Sequence, residues 1–123
     1  MYRRILVGTD GSETATAAVD RAAMVAKAVG AQLTVMSAGD HDRATKVVEG
    51  ERSRLAALGV DVDGRVVGGD ASSALIDVAE AGGYDLLVVG NKGMTGASRF
   101  FLGSVPNKVS HHAPCALLIV RTT

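Results

Sequence analysis

The sequence lacks most of what covalent or metal-held frameworks are built from. A single cysteine, Cys115, in 123 residues excludes an internal disulfide and any cysteine-rich zinc or iron–sulfur site, and suits a reducing cytoplasm. Charge of one sign is also missing. Thirteen basic residues balance thirteen acidic ones, which leaves no electrostatic footprint for nucleic acid. No apolar run approaches the ~20 residues of a membrane span. The run that begins at Ile5 stops at Asp10, too short for the apolar region of an export signal and without a cleavage pattern. Linkers, internal repeats and low-complexity blocks are absent. What remains is a chain of single-domain length, 1–123, able to bury about two-thirds of its unfolded surface. Glycine alone is in excess: 15 residues against a usual share of ~7%, with no Gly-X-Y period to explain them.

Short apolar runs alternate with helical patterns. Ile5-Leu6-Val7 reads as a strand, followed by the turn cluster Gly8-Thr9-Asp10-Gly11-Ser12, in which Asp10 or Ser12 caps the next helix. Ala15, Ala18, Val19, Ala22, Ala23, Ala26 and Val29 recur at three- and four-residue spacing as one helix face, stopped by Gly30. Leu33–Met36 is a second strand, broken at residues 39–42. A second helix carries Ala44, Val47, Val48, Leu55 and Leu58 inward, with Arg43, Lys46, Glu49, Glu51, Arg52 and Arg54 outward and Gly50 as a weak point. Val60, Val62, Val66 and Val67 form a third strand interrupted near Gly64. A third helix through Leu75, Ile76, Val78 and Ala79 ends at Gly82-Gly83. Leu86–Val89 is apolar on both faces, as strands of parallel sheets are. A glycine-containing loop from Gly90 to Gly103 leads into a short helix over 104–112, with Pro106 tolerated in its first turn and Pro114 beyond its end. Ala116–Val120 is the fifth strand. Such alternation implies right-handed βαβ units, a parallel sheet and helices on both faces.

This organisation sorts the glycines. Gly30, Gly59, Gly82 and Gly83 stop helices. Gly8, Gly11, Gly68, Gly69, Gly90, Gly93, Gly96 and Gly103 follow the carboxyl ends of strands, the ligand edge of open α/β sheets. In Gly90-x-x-Gly93, nine residues, Gly103-Ser104, the glycines let backbone N–H groups approach a phosphate, and the helix N-terminus at Ser104 attracts anions. A lone glycine motif of this kind is equally an ordinary surface loop with a serine cap.

The stretch Gly90 to Val105 after Leu86–Val89 resembles the nucleotide-binding signature of the universal stress protein family. Residues 5–12 (Ile-Leu-Val-Gly-Thr-Asp-Gly-Ser), 66–70 (Val-Val-Gly-Gly-Asp) and 112–120 (His-Ala-Pro-Cys-Ala-Leu-Leu-Ile-Val) resemble that family's opening, its third strand-to-helix turn and its ending. The resemblance implies a Rossmann-like α/β fold: a single open five-stranded parallel sheet in order 3-2-1-4-5 with helices on both faces, an adenine nucleotide at its carboxyl edge, and a small cytoplasmic stress-response protein. Carried over, Gly8, Thr9 and Asp10 lie near adenine and ribose. Ser37 or Ala38 lines the adenine pocket, the register of that strand being open by one residue. Val89 and Gly90 flank the nucleoside. Lys92, Gly93, Gly103, Ser104 and Val105 hold phosphate, Lys92 as a point charge rather than a fork. ATP is the first expectation for the ligand, with Mg2+ beside it, and AMP or cyclic AMP are the alternatives. The chain is shorter than most members of that family, and the missing length falls after the second strand, at Gly39-Asp40-His41.

Other chemistry finds little support. A Walker loop and a dinucleotide fingerprint are absent, and the third and fifth strands lack the aspartate and lysine that a response-regulator receiver requires. His111-His112 are adjacent on a helix and point apart, so they do not share a metal. Cys115 is expected as an inert buried thiol, and Phe100-Phe101-Leu102 as packing of the loop onto the domain. No general base can be named, so the expected role is regulatory. A slow ATPase or autokinase using Asp10 and Asp70, or a ligand-independent chaperone-like dimer, are the alternatives. Ala116–Val120, a flat apolar sheet edge, invites strand pairing into a homodimer, as does the family resemblance.

Overall fold

A computed structural model describes residues 2–91 and 104–122. Strands and helices alternate throughout: β1 (Arg4–Gly8), α1 (Glu13–Val29), β2 (Gln32–Ala38), α2 (His41–Ala57), β3 (Asp63–Val67), α3 (Ala71–Ala81), β4 (Leu86–Gly90), α4 (Ser104–His112) and β5 (Ala116–Val120). All pairings are parallel, in the order β3-β2-β1-β4-β5, as the family resemblance implies. β1 is central. Its Ile5 lies opposite Leu33 on one side and Leu86 on the other.

Strand pleating divides the apolar residues between two layers. Ile5, Val7, Val35 and Val88 face α1 and α2, where they pack with Ala18, Val19, Ala22, Ala26 and Leu55. Leu6, Met36, Leu87 and Val89 face α3 and α4, where they meet Leu75, Val78, Ala79, Val105 and Val109. This is why the β1 and β4 runs are apolar at every position. Ser12, and not Asp10, caps α1 by accepting the Ala15 N–H, and Gly30 closes the helix in the left-handed region at φ 72°. On the second layer the Tyr84 hydroxyl donates to Thr34 Oγ1 at 2.9 Å, satisfying two polar groups inside an apolar core.

Three local expectations are corrected. α2 starts at His41, capped by Asp40, so the β2–α2 connection shrinks to Gly39 and its cap. Glu51, expected outward, is buried at 7% exposure. It accepts from Thr16 Oγ1 of α1 and pairs with Arg54, which also reaches Asp20, so its charge is neutralised between two helices. Gly64, expected to interrupt β3, lies inside the strand opposite Val35. Val60 and Val62 precede the strand, and Val62 is buried against the α1–α2 layer. Glycine is present there because α2 sits directly on it: a Cβ would lie 2.5 Å from Val48 Cγ1 and 2.9 Å from Arg52 Cδ.

Candidate functional site

The order β3-β2-β1-β4-β5 reverses its direction of winding between β1 and β4. β1 leads outward through α1 and β2, whereas β4 leads to the opposite edge. The carboxyl ends of β1 and β4 therefore open a crevice, with the end of β2 as its far wall. This brings together Gly8, Thr9 and Asp10 on β1, Ser37 and Ala38 on β2, and Val89 and Gly90 on β4. Val105 lies in the first turn of α4 with its side chain buried. Lys92, Gly93 and Gly103, with Gly96 and Phe100–Leu102 of the same loop, lie outside the described residues. Ser104 is described only as the first residue of α4.

The β1 end is built tightly. A Cβ at Gly8 would meet Leu75 Cδ1 at 2.9 Å, so α3 approaches the strand end closely. Thr9 is fully buried. Its N–H donates to the Met36 carbonyl at 2.9 Å, one rung beyond the strand, and its Oγ1 accepts from the Gly11 N–H at 3.1 Å. Asp10 accepts from the Ser12 N–H through Oδ1 at 2.9 Å, an Asx turn that steers the chain into α1. Its Oδ2 makes no hydrogen bond among the described residues, and the residue is half-buried. Gly11 takes φ 83°, where a side chain is strained, and stands 2.8 Å in Cβ terms from Val47 Cγ2 of α2.

The β2 end holds two features that the sequence did not announce. Strand alternation sends Ser37 to the α1–α2 face and Ala38 to the α3–α4 face, where Ala38 packs against the core. Ser37 is 1% exposed and its hydroxyl has no hydrogen-bond partner among the described residues, an arrangement that ordinarily costs stability. Arg43 is exposed, as expected from its place on the helix, and its side chain crosses the strand ends. Its Nη1 donates to the Asp10 carbonyl at 3.3 Å and its Nη2 to the Ala38 carbonyl at 3.5 Å. The short Gly39-Asp40 connection was the available signal, because it leaves the first turn of α2 no room to move off the sheet edge.

At the β4 end Asn91 turns away from the crevice. Its Oδ1 accepts from the Thr122 N–H at 2.8 Å and hydroxyl at 3.0 Å, and its N–H donates to the Val120 carbonyl at 2.8 Å. It anchors the exit of β5. Asp70 is likewise committed elsewhere. Its Oδ2 accepts from the Ser72 hydroxyl at 2.6 Å and the Ser73 N–H at 3.0 Å, with Lys108 Nζ of α4 at 3.6 Å. The Ser72 hydroxyl first, then the Ser73 N–H, hold its carboxyl down to about 2. Cys115, expected buried, is half-buried; burial still pushes its thiol up, which suits an unreactive thiol. Among the described residues no group of three histidine, cysteine or acidic side chains gathers to hold a metal, and no helix is long and apolar enough to cross a membrane.

The family model of the universal stress protein family matches residues 1–53 and 37–121. The chain belongs to the universal stress protein family. Universal stress protein Rv1636 of Mycobacterium tuberculosis is 35% identical, with 99% of this chain and 98% of the relative covered. The crystal structure of Rv1636 superimposes with a TM-score of 0.69 at 41% identity, covering 99% of this chain and 97% of that one. A universal stress protein solved in complex with cAMP superimposes with a TM-score of 0.86 at 36% identity, covering 99% of this chain and 98% of that one. The two matched stretches of the family model overlap at residues 37–53, and the alignment with Rv1636 runs over 144 positions against 123 residues here. This universal stress protein thus lacks a segment that its relatives carry, and the overlap puts the gap at the end of β2 and in α2.

Proposed function

We propose that this universal stress protein binds an adenine nucleotide in the crevice at the carboxyl ends of β1 and β4 and acts as a regulatory protein of the cytoplasm. The observation that carries the reading is the cAMP-bound relative, alike in fold over nearly the whole chain at 36% identity. The crevice supports it: among the described residues Asp10 Oδ2 and the buried Ser37 hydroxyl have no hydrogen-bond partner, and a helix N-terminus lies beyond. In this reading Gly8, Thr9, Asp10, Ser37, Ala38 and Val89 surround the nucleoside. Gly90 flanks the nucleoside with Val89, and Lys92, Gly93, Gly103, Ser104 and Val105 hold the phosphate. The first N–H groups of a helix have no intrahelical partner, so Val105, its side chain buried, offers its backbone N–H, while Pro106 offers none. ATP with Mg2+, AMP and cAMP all fit this chemistry. Calorimetric titration of each into the purified chain decides among them, and no binding of any at millimolar concentration refutes the reading.

We further propose that β5 pairs with its counterpart in a second copy. β5 is the outer strand beyond β4, with Ala116 exposed and Leu117, Leu118 and Ile119 only partly covered. An apolar edge of this kind is a template for strand addition. Sedimentation at micromolar concentration tests it, and a monomer refutes it.

A further inference from the structure

Arg43 enters the crevice from the side opposite α4. Its guanidinium lies over the end of β1, as the ladder geometry requires. The Met36 carbonyl accepts from the Thr9 N–H on the β1 side. Carbonyl directions alternate along a strand, so the Ala38 carbonyl points the same way, one step beyond the last rung. Arg43 Nη2 meets that carbonyl at 3.5 Å, and Nη1 meets the Asp10 carbonyl at 3.3 Å. Both bonds are long and exposed, so they hold the fork weakly, and among the described residues most of its five donors are unused. Gly39 beside it has φ 108° and no side chain, and a Cβ there would sit 3.6 Å from Nη2.

The two ends of the crevice differ in what they accept. The N-terminus of α2 is already filled by the carboxylate of Asp40, which accepts from the Arg43 N–H at 3.0 Å. A phosphate there would meet a like charge, whereas the α4 end favours an anion. Base and ribose are left to the β2 end, beneath Arg43, where the family's longer segment is missing.

Resting on the nucleotide reading above, we propose that Arg43 is a specificity-determining contact to the nucleoside part of the ligand. Its guanidinium closes the base pocket on the β2 side, donating to ring-nitrogen or ribose-oxygen acceptors and lying against the base. The contact is independent of the phosphate.

Titration of adenosine and of AMP into the wild-type chain, Arg43→Ala and Arg43→Lys tests this. Arg43→Ala weakens both ligands by the same factor, about tenfold for a lost charge-assisted hydrogen bond. Arg43→Lys, which keeps the charge without the planar fork, recovers part of the loss. Thermal melts in the same buffer check that the exposed substitution leaves the fold intact. Wild-type affinity in Arg43→Ala overturns the proposal, and so does a loss confined to AMP, which would place the guanidinium on the phosphate. If the wild-type chain binds neither ligand, the nucleotide reading fails and this inference falls with it. Binding by the wild type and equal binding by Arg43→Ala refute the role of Arg43 alone.

Discussion

Gly64→Ala measures how tightly α2 is seated on the sheet. The added methyl would lie 2.5 Å from Val48 Cγ1 and 2.9 Å from Arg52 Cδ, well inside contact distance. Val48 cannot easily yield: it is 2% exposed and β-branched in a helix, where one rotamer dominates. Arg52 is tethered through Nε to the Val62 carbonyl at 3.1 Å. The helix itself must therefore lift. Overpacking of this kind costs about 1–3 kcal/mol, and relief of glycine's backbone entropy in a strand returns about 0.5–1 kcal/mol. At the middle of both ranges the net expectation is a loss of about 1 kcal/mol. In urea denaturation it appears as a lower midpoint with an unchanged slope. An alanine variant as stable as the wild type, or more so, refutes the close seating of α2 on β3. Because α2 carries Arg43, the same lift withdraws the guanidinium from the Asp10 and Ala38 carbonyls, and adenosine affinity falls with the stability.

Asp70 gives a pH signature. Its folded pKa is lowered from 3.8 to about 2, so its contribution is complete above the ordinary carboxylate value and is lost as pH falls from about 4 towards 2. The gap in melting temperature between wild type and Asp70→Asn narrows over that window, and a constant gap refutes the assignment. Tyr84→Phe leaves the buried Thr34 hydroxyl without its 2.9 Å partner and lowers stability by about 1–2 kcal/mol in urea denaturation; no change would mean that the pair contributes nothing. Leu118→Lys places a charge on β5 and converts the proposed dimer to monomer in sedimentation velocity, with a melt to confirm folding. A dimer that survives it is not held through β5.

Elements whose cause is local were legible in the sequence. Leu86–Val89 needed only its own unbroken apolar run to be read as a buried parallel strand. α1 needed only its alanine spacing and Gly30. Gly64 and Glu51 differ from expectation for a common reason. Each owes its position to a residue that arrives from another element: Val48 above Gly64, Thr16 beside Glu51; the contact of the exposed Arg43 with the Ala38 carbonyl was hidden for the same reason. Strand propensity marks glycine as a break, and helical periodicity marks every charge as outward, so neither rule detects such meetings. In the candidate site, the rule that ligands lie at carboxyl strand ends points to Gly8 and Gly90, while Thr9, Asp10 and Val89 come from the family resemblance. Asn91 is adjacent to them in sequence but is claimed by Thr122, 31 positions on.

The sheet works as a partition. α1 and α2 share one apolar layer, α3 and α4 the other, and the two cores have no residue in common. Over the crevice that partition runs out, and a single ligand is long enough to reach across its rim. A nucleotide seated as proposed touches α2 at one end and α4 at the other, riveting two layers that lie on opposite faces of the sheet. Its arrival would stiffen both at once, and a partner resting on either layer would register that a small molecule is in place without ever touching it.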